Sequence, residues 1–129
     1  MNGAQGTNGS CGHILVVEDE PLLRALLADE LRELGFSVAE ASRADDALIY
    51  IEASVIDLVF TDVQMPGPID GIALAQAVRA RFPSVPVIVT SGDLGGRSLD
   101  GIAPFIPKPY RVEEALKLVV DVLGRGRPA

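Results

Sequence analysis

Apolar residues along this chain fall into short unbroken runs, and between the runs they recur every three or four positions. Ile14-Leu15-Val16-Val17 is such a run and reads as a strand buried on both faces, as in a parallel sheet. Glu18-Asp19-Glu20 follows, and Pro21 stands where the first turn of a helix tolerates proline. Leu23, Leu27, Leu31 and Leu34 keep helical spacing up to Gly35, which stops the helix. Ser37-Val38-Ala39-Glu40 is a short second strand. Ser42 with Asp45 three residues on resembles a capping box, with Asp in place of the usual Glu, and opens a helix to about Ser54. Asp57-Leu58-Val59-Phe60-Thr61 is a third strand that ends at Asp62. Beyond Pro66, Gly67 and Pro68, a helix over about Gly71–Phe82 places Ile72, Ala75, Val78 and Phe82 on one side. Val87–Thr90 is the fourth strand, and Phe105-Ile106 a short fifth. Val112–Leu123 is the last helix, with Leu116, Val119, Val120 and Leu123 toward the core. A further helix belongs between Thr90 and Lys108, but Gly92, Gly95, Gly96 and Gly101 reduce it to a short, degenerate helix or a loop.

Strand and helix alternating over one domain predict an α/β layer structure with a parallel sheet and helices on both faces. The organised part runs over 13–123, with residues 1–12 a Gly/Asn/Ser-rich disordered tail and 124–129 a frayed one. Hydrophobic residues at 48% and charged residues at 22% are the balance of a soluble globular chain. No apolar run approaches the roughly 18 residues a membrane span needs. The start lacks the basic and apolar regions of a signal peptide. A net charge of −7 with scattered basic residues argues against direct nucleic-acid binding. The single cysteine, Cys11, excludes an intramolecular disulfide and a cysteine zinc site, and a reducing cytoplasm is the simplest setting. His13 is the only histidine, which leaves no material for a multi-histidine metal site; it reads as a structural residue at a strand end.

The chemistry is carried by where the polar residues fall. Glu18 and Asp19 follow the first strand, Asp62 follows the third, Thr90 closes the fourth and Lys108 follows the fifth. In an open parallel sheet those strand ends share one edge, and ligands bind there beside the topological switch point. Carboxylates gathered at one edge repel: two unit charges 4 Å apart cost roughly 4 kcal/mol at an effective dielectric of 20. A small hard dication supplies the counter-charge, and an oxygen-rich set suits Mg²⁺ (or Mn²⁺). Lys108 adds an ammonium and Thr90 a hydroxyl. Together they are the parts that phosphoryl transfer requires: a nucleophile, neutralised equatorial oxygens and an oriented hydrogen bond.

ILVVEDE, FTDVQMP, VIVTSG and FIPKPY occur in this order and closely resemble the four signature segments of two-component response-regulator receiver domains, over about His13 to Leu123. The resemblance implies a flavodoxin-like (CheY-like) doubly wound sheet of five parallel strands in order 2-1-3-4-5. It implies that Asp62 accepts a phosphoryl group from a phosphohistidine of a histidine kinase or a histidine phosphotransfer protein. Asp19 would then bind Mg²⁺ directly and Glu18 through water, with Asp62 and the backbone carbonyl of Gln64 completing the ligands. Thr90 and Lys108 would hold the phosphoryl oxygens, and Lys108-Pro109 would be a cis peptide. Phe105 falls at the switch-aromatic position, so phosphorylation would draw Thr90 inward and let Phe105 rotate behind it.

Three departures stand out: Glu18 where Asp is commoner, one extra position between Met65 and Gly71, and the short glycine-rich stretch from Thr90 to Lys108. With Gly92 bare of a side chain, Gln64 is the main neighbour able to shield the phosphoryl group, and the expectation is that it modulates dephosphorylation. No output segment follows the last helix, so a stand-alone module acting through a downstream protein partner or onward phosphotransfer is expected, with room for a weak homodimer. A haloacid-dehalogenase-type phosphohydrolase is the enzymatic alternative, but its second acid would sit at Gln64, which cannot transfer the proton. A flavin or nucleotide carrier would need a glycine-rich cradle where Glu18-Asp19-Glu20 stands. A receiver that binds partners without phosphorylation would not need the full set of Asp62, Thr90 and Lys108.

Overall fold

A computed structural model describes residues 11–99 and 101–125. Its elements are β1 (His13–Val17), α1 (Pro21–Glu33), β2 (Ser37–Ala41), α2 (Ala44–Ala53), β3 (Leu58–Asp62), α3 (Gly71–Arg81), β4 (Val87–Ser91), β5 (Phe105–Pro107) and α4 (Val112–Arg125). Every strand pair is parallel and the order is β2-β1-β3-β4-β5, the expected doubly wound sheet.

The unbroken apolar runs are explained by burial on two faces at once. Successive strand residues point to opposite sides. Leu15, Val17, Val59, Val87 and Val89 pack with Ala47, Ile51, Leu74, Ala75 and Val78 of α2 and α3. Ile14, Val16, Leu58, Phe60 and Ile88 pack with Leu27, Leu31, Ala115 and Val119 of α1 and α4. Full burial of each such side chain contributes about 1.5–3 kcal/mol, so a register slip of one residue in β3 would exchange two cores simultaneously. His13 is structural: its Nε2 lies 2.9 Å from the Tyr50 hydroxyl and its Nδ1 lies 3.2 Å from the Ser37 carbonyl.

Several expectations are corrected. The Ser42/Asp45 box does not cap α2; Arg43 holds the cap position without a side-chain cap bond, and its guanidinium grips both Asp45 oxygens at 3.0 Å. The side-chain cap belongs to α3, where Asp70 Oδ1 accepts from the Ala73 amide at 2.9 Å. On α4 the inward face is Ala115, Val119, Val122 and Leu123, whereas Val120 is exposed. On α1, Leu34 is half-exposed as the C-cap, and Gly35 takes a φ of +99°, a conformation that stops the helix. α4 continues through Gly124 and Arg125, and Cys11 and Gly12 are hydrogen-bonded to Gly35 and Ser37, so all four lie inside the fold rather than in the tails. The rest of both expected tails, 1–10 and 126–129, lies outside the described residues. Between β4 and β5 the described residues form turns and bends without a helix, and Gly95, Gly96 and Gly101 have φ of +61°, +83° and +74°. The Lys108-Pro109 peptide is cis.

Candidate functional site

Because all strands run the same way, the ends of β1, β3, β4 and β5 meet at one edge. Asp62 lies opposite Thr90, and Thr90 opposite Ile106. Lys108 follows directly, with its amide bonded to the Ser91 carbonyl at 3.0 Å. Its ammonium bridges two acids, Glu18 Oε1 at 2.9 Å and Asp62 Oδ2 at 3.1 Å. The other oxygens are also fixed: the Val63 amide donates to Asp62 Oδ1 at 2.7 Å, and the Glu20 amide to Glu18 Oε2 at 3.1 Å. Glu18 is 4% exposed and Asp62 5%, which makes water a poor alternative partner for either charge. Asp19 is exposed at the mouth, and one carboxylate oxygen from each of Glu18, Asp19 and Asp62 lies within 4.8 Å of the others.

The electrostatics follow from that crowding. Burial raises the Glu18 carboxyl above its ordinary range; the Lys108 bond only partly offsets it, and the Asp62 charge pushes the same way. Burial alone would lower Lys108, but its bonds to Glu18 and Asp62 prevail and hold the ammonium above its usual value. Tyr110, whose ring meets Phe60 edge-on at 6.0 Å, is pushed up to about 12 by burial and then by the Glu18 charge.

The donor set accommodates a hard dication. Three carboxylates cluster where one ammonium pairs with two of them, the donors in reach are oxygens, and among the described residues the Thr90 hydroxyl is buried with no hydrogen-bond partner. An unpaired buried hydroxyl beside acids that one ammonium only partly compensates is a donor set suited to a charged, oxygen-rich group.

Every residue singled out from the sequence lies at this edge or next to it. Phe105, on β5, is partly exposed and pairs in register with Val89. Gln64 is exposed, and its side chain is turned toward the segment after β4: its Oε1 accepts from Ser91 Oγ at 2.7 Å and its Nε2 donates to the Asp93 carbonyl at 2.5 Å. Three residues escaped the sequence reading. Ser91 anchors Gln64; its one signal was adjacency to Thr90. Gly71 packs so tightly that an added Cβ would sit 1.8 Å from the Asp62 carbonyl oxygen, a close approach no spacing rule announces. Arg24, on the first turn of α1, donates to the Glu18 carbonyl at 2.7 Å.

The family model described as "Response regulator receiver domain" matches residues 14–120. The chain belongs to that family, whose members serve as phosphoacceptor modules of two-component signalling. Among curated relatives it is 33% identical over 122 residues to the transcriptional regulatory protein BaeR of Escherichia coli O6:H1, covering 89% of this chain and 49% of that protein. It is 44% identical over 122 residues to the sensor histidine kinase RcsC of Escherichia coli K12, covering 88% of this chain and 13% of that one. The chain thus spans half or less of these relatives. Among solved structures, the response regulator TrrA of Thermotoga maritima in complex with Mg²⁺-BeF superposes with a TM-score of 0.76 at 32% identity, covering 87% of this chain and 98% of that one. Among the described residues, no helix is long and apolar enough to cross a membrane.

Proposed function

We propose that Asp62 is the phosphoacceptor, taking its phosphoryl group from a phosphohistidine of a histidine kinase or phosphotransfer protein. A carboxylate oxygen of Asp62 bonds to phosphorus as the phosphorus–nitrogen bond breaks, and the electron pair leaves on the imidazole. Glu18, Asp19, Asp62 and the main-chain carbonyl of Gln64 would hold Mg²⁺ or Mn²⁺. When bound, the ion neutralises charge developing on the phosphoryl oxygens. Lys108 gives up part of its pairing with Glu18 and Asp62 to bind one of those oxygens, and Thr90 donates its hydroxyl to another. The observation that carries this reading is the Lys108 bridge between two buried acids, with the unpartnered Thr90 hydroxyl alongside.

Access supports the same reading. A cleft of about 400 Å³ lined by Glu20, Leu23, Gly92, Lys108, Pro109 and Tyr110 opens beside the ammonium. Leu22, 85% exposed, and Leu26 lie on α1, the helix whose Leu23 lines this cleft, and would offer an apolar surface to the donor protein. The TrrA structure, 32% identical, is in complex with Mg²⁺-BeF, and this reading gives the acid cluster of the present chain the same kind of ligand. Movement of Thr90 toward the phosphoryl group would open space behind it for Phe105, which carries the signal to a downstream protein partner.

The test is incubation with acetyl phosphate and Mg²⁺ followed by peptide mass mapping. One phosphoryl group is expected on Asp62, none in Asp62→Asn, and none with chelator. Label on another residue, or full labelling of Asp62→Asn, overturns the reading. Gln64 would modulate the lifetime of that group by leaving Ser91 and Asp93 to cover it. Gln64→Ala is therefore expected to change the dephosphorylation rate, and an unchanged lifetime removes this role.

A further inference from the structure

The strand-end acids have a brace that does not itself belong to the acid cluster. Glu18 is fixed by its main chain as well as its side chain: its amide donates to the Ala41 carbonyl of β2 at 3.0 Å, and its carbonyl accepts from Arg24 Nη1 at 2.7 Å. Arg24 in turn pairs through Nε with Glu40 Oε1 of β2 at 3.4 Å, with side-chain exposures of 21% and 31%. Glu40 also takes Arg32 at 3.2 Å, and Arg32 donates to the Val38 carbonyl at 3.0 Å. The acid loop is therefore tied to β2 from two directions, once directly and once through a planar guanidinium that reaches two acceptors with a fixed fork.

The sign of the charge makes this arrangement informative. A cation one residue from a pocket that takes a dication opposes metal binding by Coulomb repulsion. Arg24 spends its ion pair on Glu40, outside the cluster, and its short hydrogen bond on a neutral carbonyl. Neither contact neutralises a pocket acid: the first ties the guanidinium to a β2 side chain, and the second holds the Glu18 backbone. Lys108 already supplies the compensating charge inside.

We infer that Arg24 is a positioning residue for the divalent-cation site: it fixes the backbone of Glu18 so that the neighbouring carboxylates of Glu18 and Asp19 are presented together, and Glu40 acts through it. The inference rests on the reading of the acid cluster as a metal site given above. Partners one step removed from a metal's ligands commonly govern affinity by orienting those ligands.

The test is Mn²⁺ binding followed by electron paramagnetic resonance, with Mg²⁺ as competitor, on the wild type, Arg24→Ala, Glu40→Gln and the double variant. Thermal melts in chelator set a temperature at which each is folded. Arg24→Ala is expected to weaken Mn²⁺ binding about tenfold, although it removes a repelling charge. Glu40→Gln weakens it less, and the double variant is no weaker than Arg24→Ala, because the effect of Glu40 passes through Arg24. Arg24→Lys, which keeps the charge but loses the fork, is expected to bind more weakly than wild type and serves if Arg24→Ala does not fold. Affinity equal to or tighter than wild type in Arg24→Ala, wild-type affinity in Arg24→Lys, or fully additive effects of the two single changes overturn the inference. A wild type that takes up no ion defeats the metal reading itself, a result distinct from a wild type that binds while its Arg24 variants bind equally well.

Discussion

The acid edge and the segment between β4 and β5 lie side by side but are held by different forces. The edge is placed by strands whose apolar residues are buried on both faces, and its charged groups are locked by short bonds from Lys108, Val63 and Glu20. The segment has glycines at positive φ where a helix would be and a single buried apolar side chain among its described residues, Leu99. It is tied down by polar contacts: Gln64 to the Asp93 carbonyl, Arg97 to Asp70 at 2.9 Å, and Arg79 to the Gly101 carbonyl. Precision near the proposed acceptor comes from burial, whereas the surface beside Phe105 is held by exposed bonds that are individually weak. Under the function proposed above, that division suits a module with chemistry exact in geometry and a neighbouring surface free to move.

The largest test of this contrast is Gly71→Ala. The new Cβ would meet the Asp62 carbonyl at 1.8 Å, backbone against side chain, with nothing flexible to yield. A loss of roughly 3 kcal/mol in urea melts is expected, with failure of phosphoryl uptake. An unchanged melt would mean the edge is less rigid than its packing indicates.

Lys108→Ala comes next. It leaves the Glu18 and Asp62 carboxylates buried without their ammonium, and should destabilise the metal-free protein by about 2 kcal/mol, below the fully buried range because Lys108 is 24% exposed. Its pH dependence has a definite sign. The Glu18 carboxyl is already raised by burial, and losing Lys108 raises it further. The folded state then binds more protons than the unfolded one, so the variant gains stability relative to wild type as pH falls from neutrality through that raised value. Melts in chelator whose difference stays constant between neutral and mildly acidic pH would refute the electrostatic account.

Asp70→Ala probes the weaker region. Asp70 caps α3 through Ala73 and holds Arg97 of the β4–β5 segment. Burial alone would raise its carboxyl, but the Ala73 amide and Arg97 outweigh that and lower it, so its contribution is present above the ordinary carboxyl range and fades as pH falls through the lowered value. A loss of about 1 kcal/mol is expected, from the cap more than from the exposed ion pair. Hydrogen exchange should quicken in 92–104 and stay unchanged in β3. Equal quickening in both would erase the distinction between the two regions.

Much of this was legible from residue order. Ile14–Val17, Asp57–Thr61 and Val87–Thr90 read as strands, the first buried on both faces, and the polar residues closing them had to share an edge once the strands were parallel; the third strand is observed one residue later, over Leu58–Asp62. Caps were read less well. Ser42 and Asp45 have the right spacing for a box, but Arg43 between them offers Asp45 a charged, bidentate partner, and that bond wins. Helix faces were misjudged by one step on α4, where Val120 and Val122 are equally apolar and only the direction of packing separates them.

Sequence order alone determined the α/β class, the acids, Thr90 and Lys108 that close the strands, and the weakness of any helix between Thr90 and Lys108, because periodicity and glycine content are local properties of a chain. The tertiary structure decided that Lys108 bridges Glu18 and Asp62, that Gln64 turns toward Ser91, that Gly71 abuts the Asp62 backbone, and that Arg24 reaches back to Glu18. Those contacts join residues from different elements, and their geometry is set by how helices dock on the sheet, which no local pattern encodes.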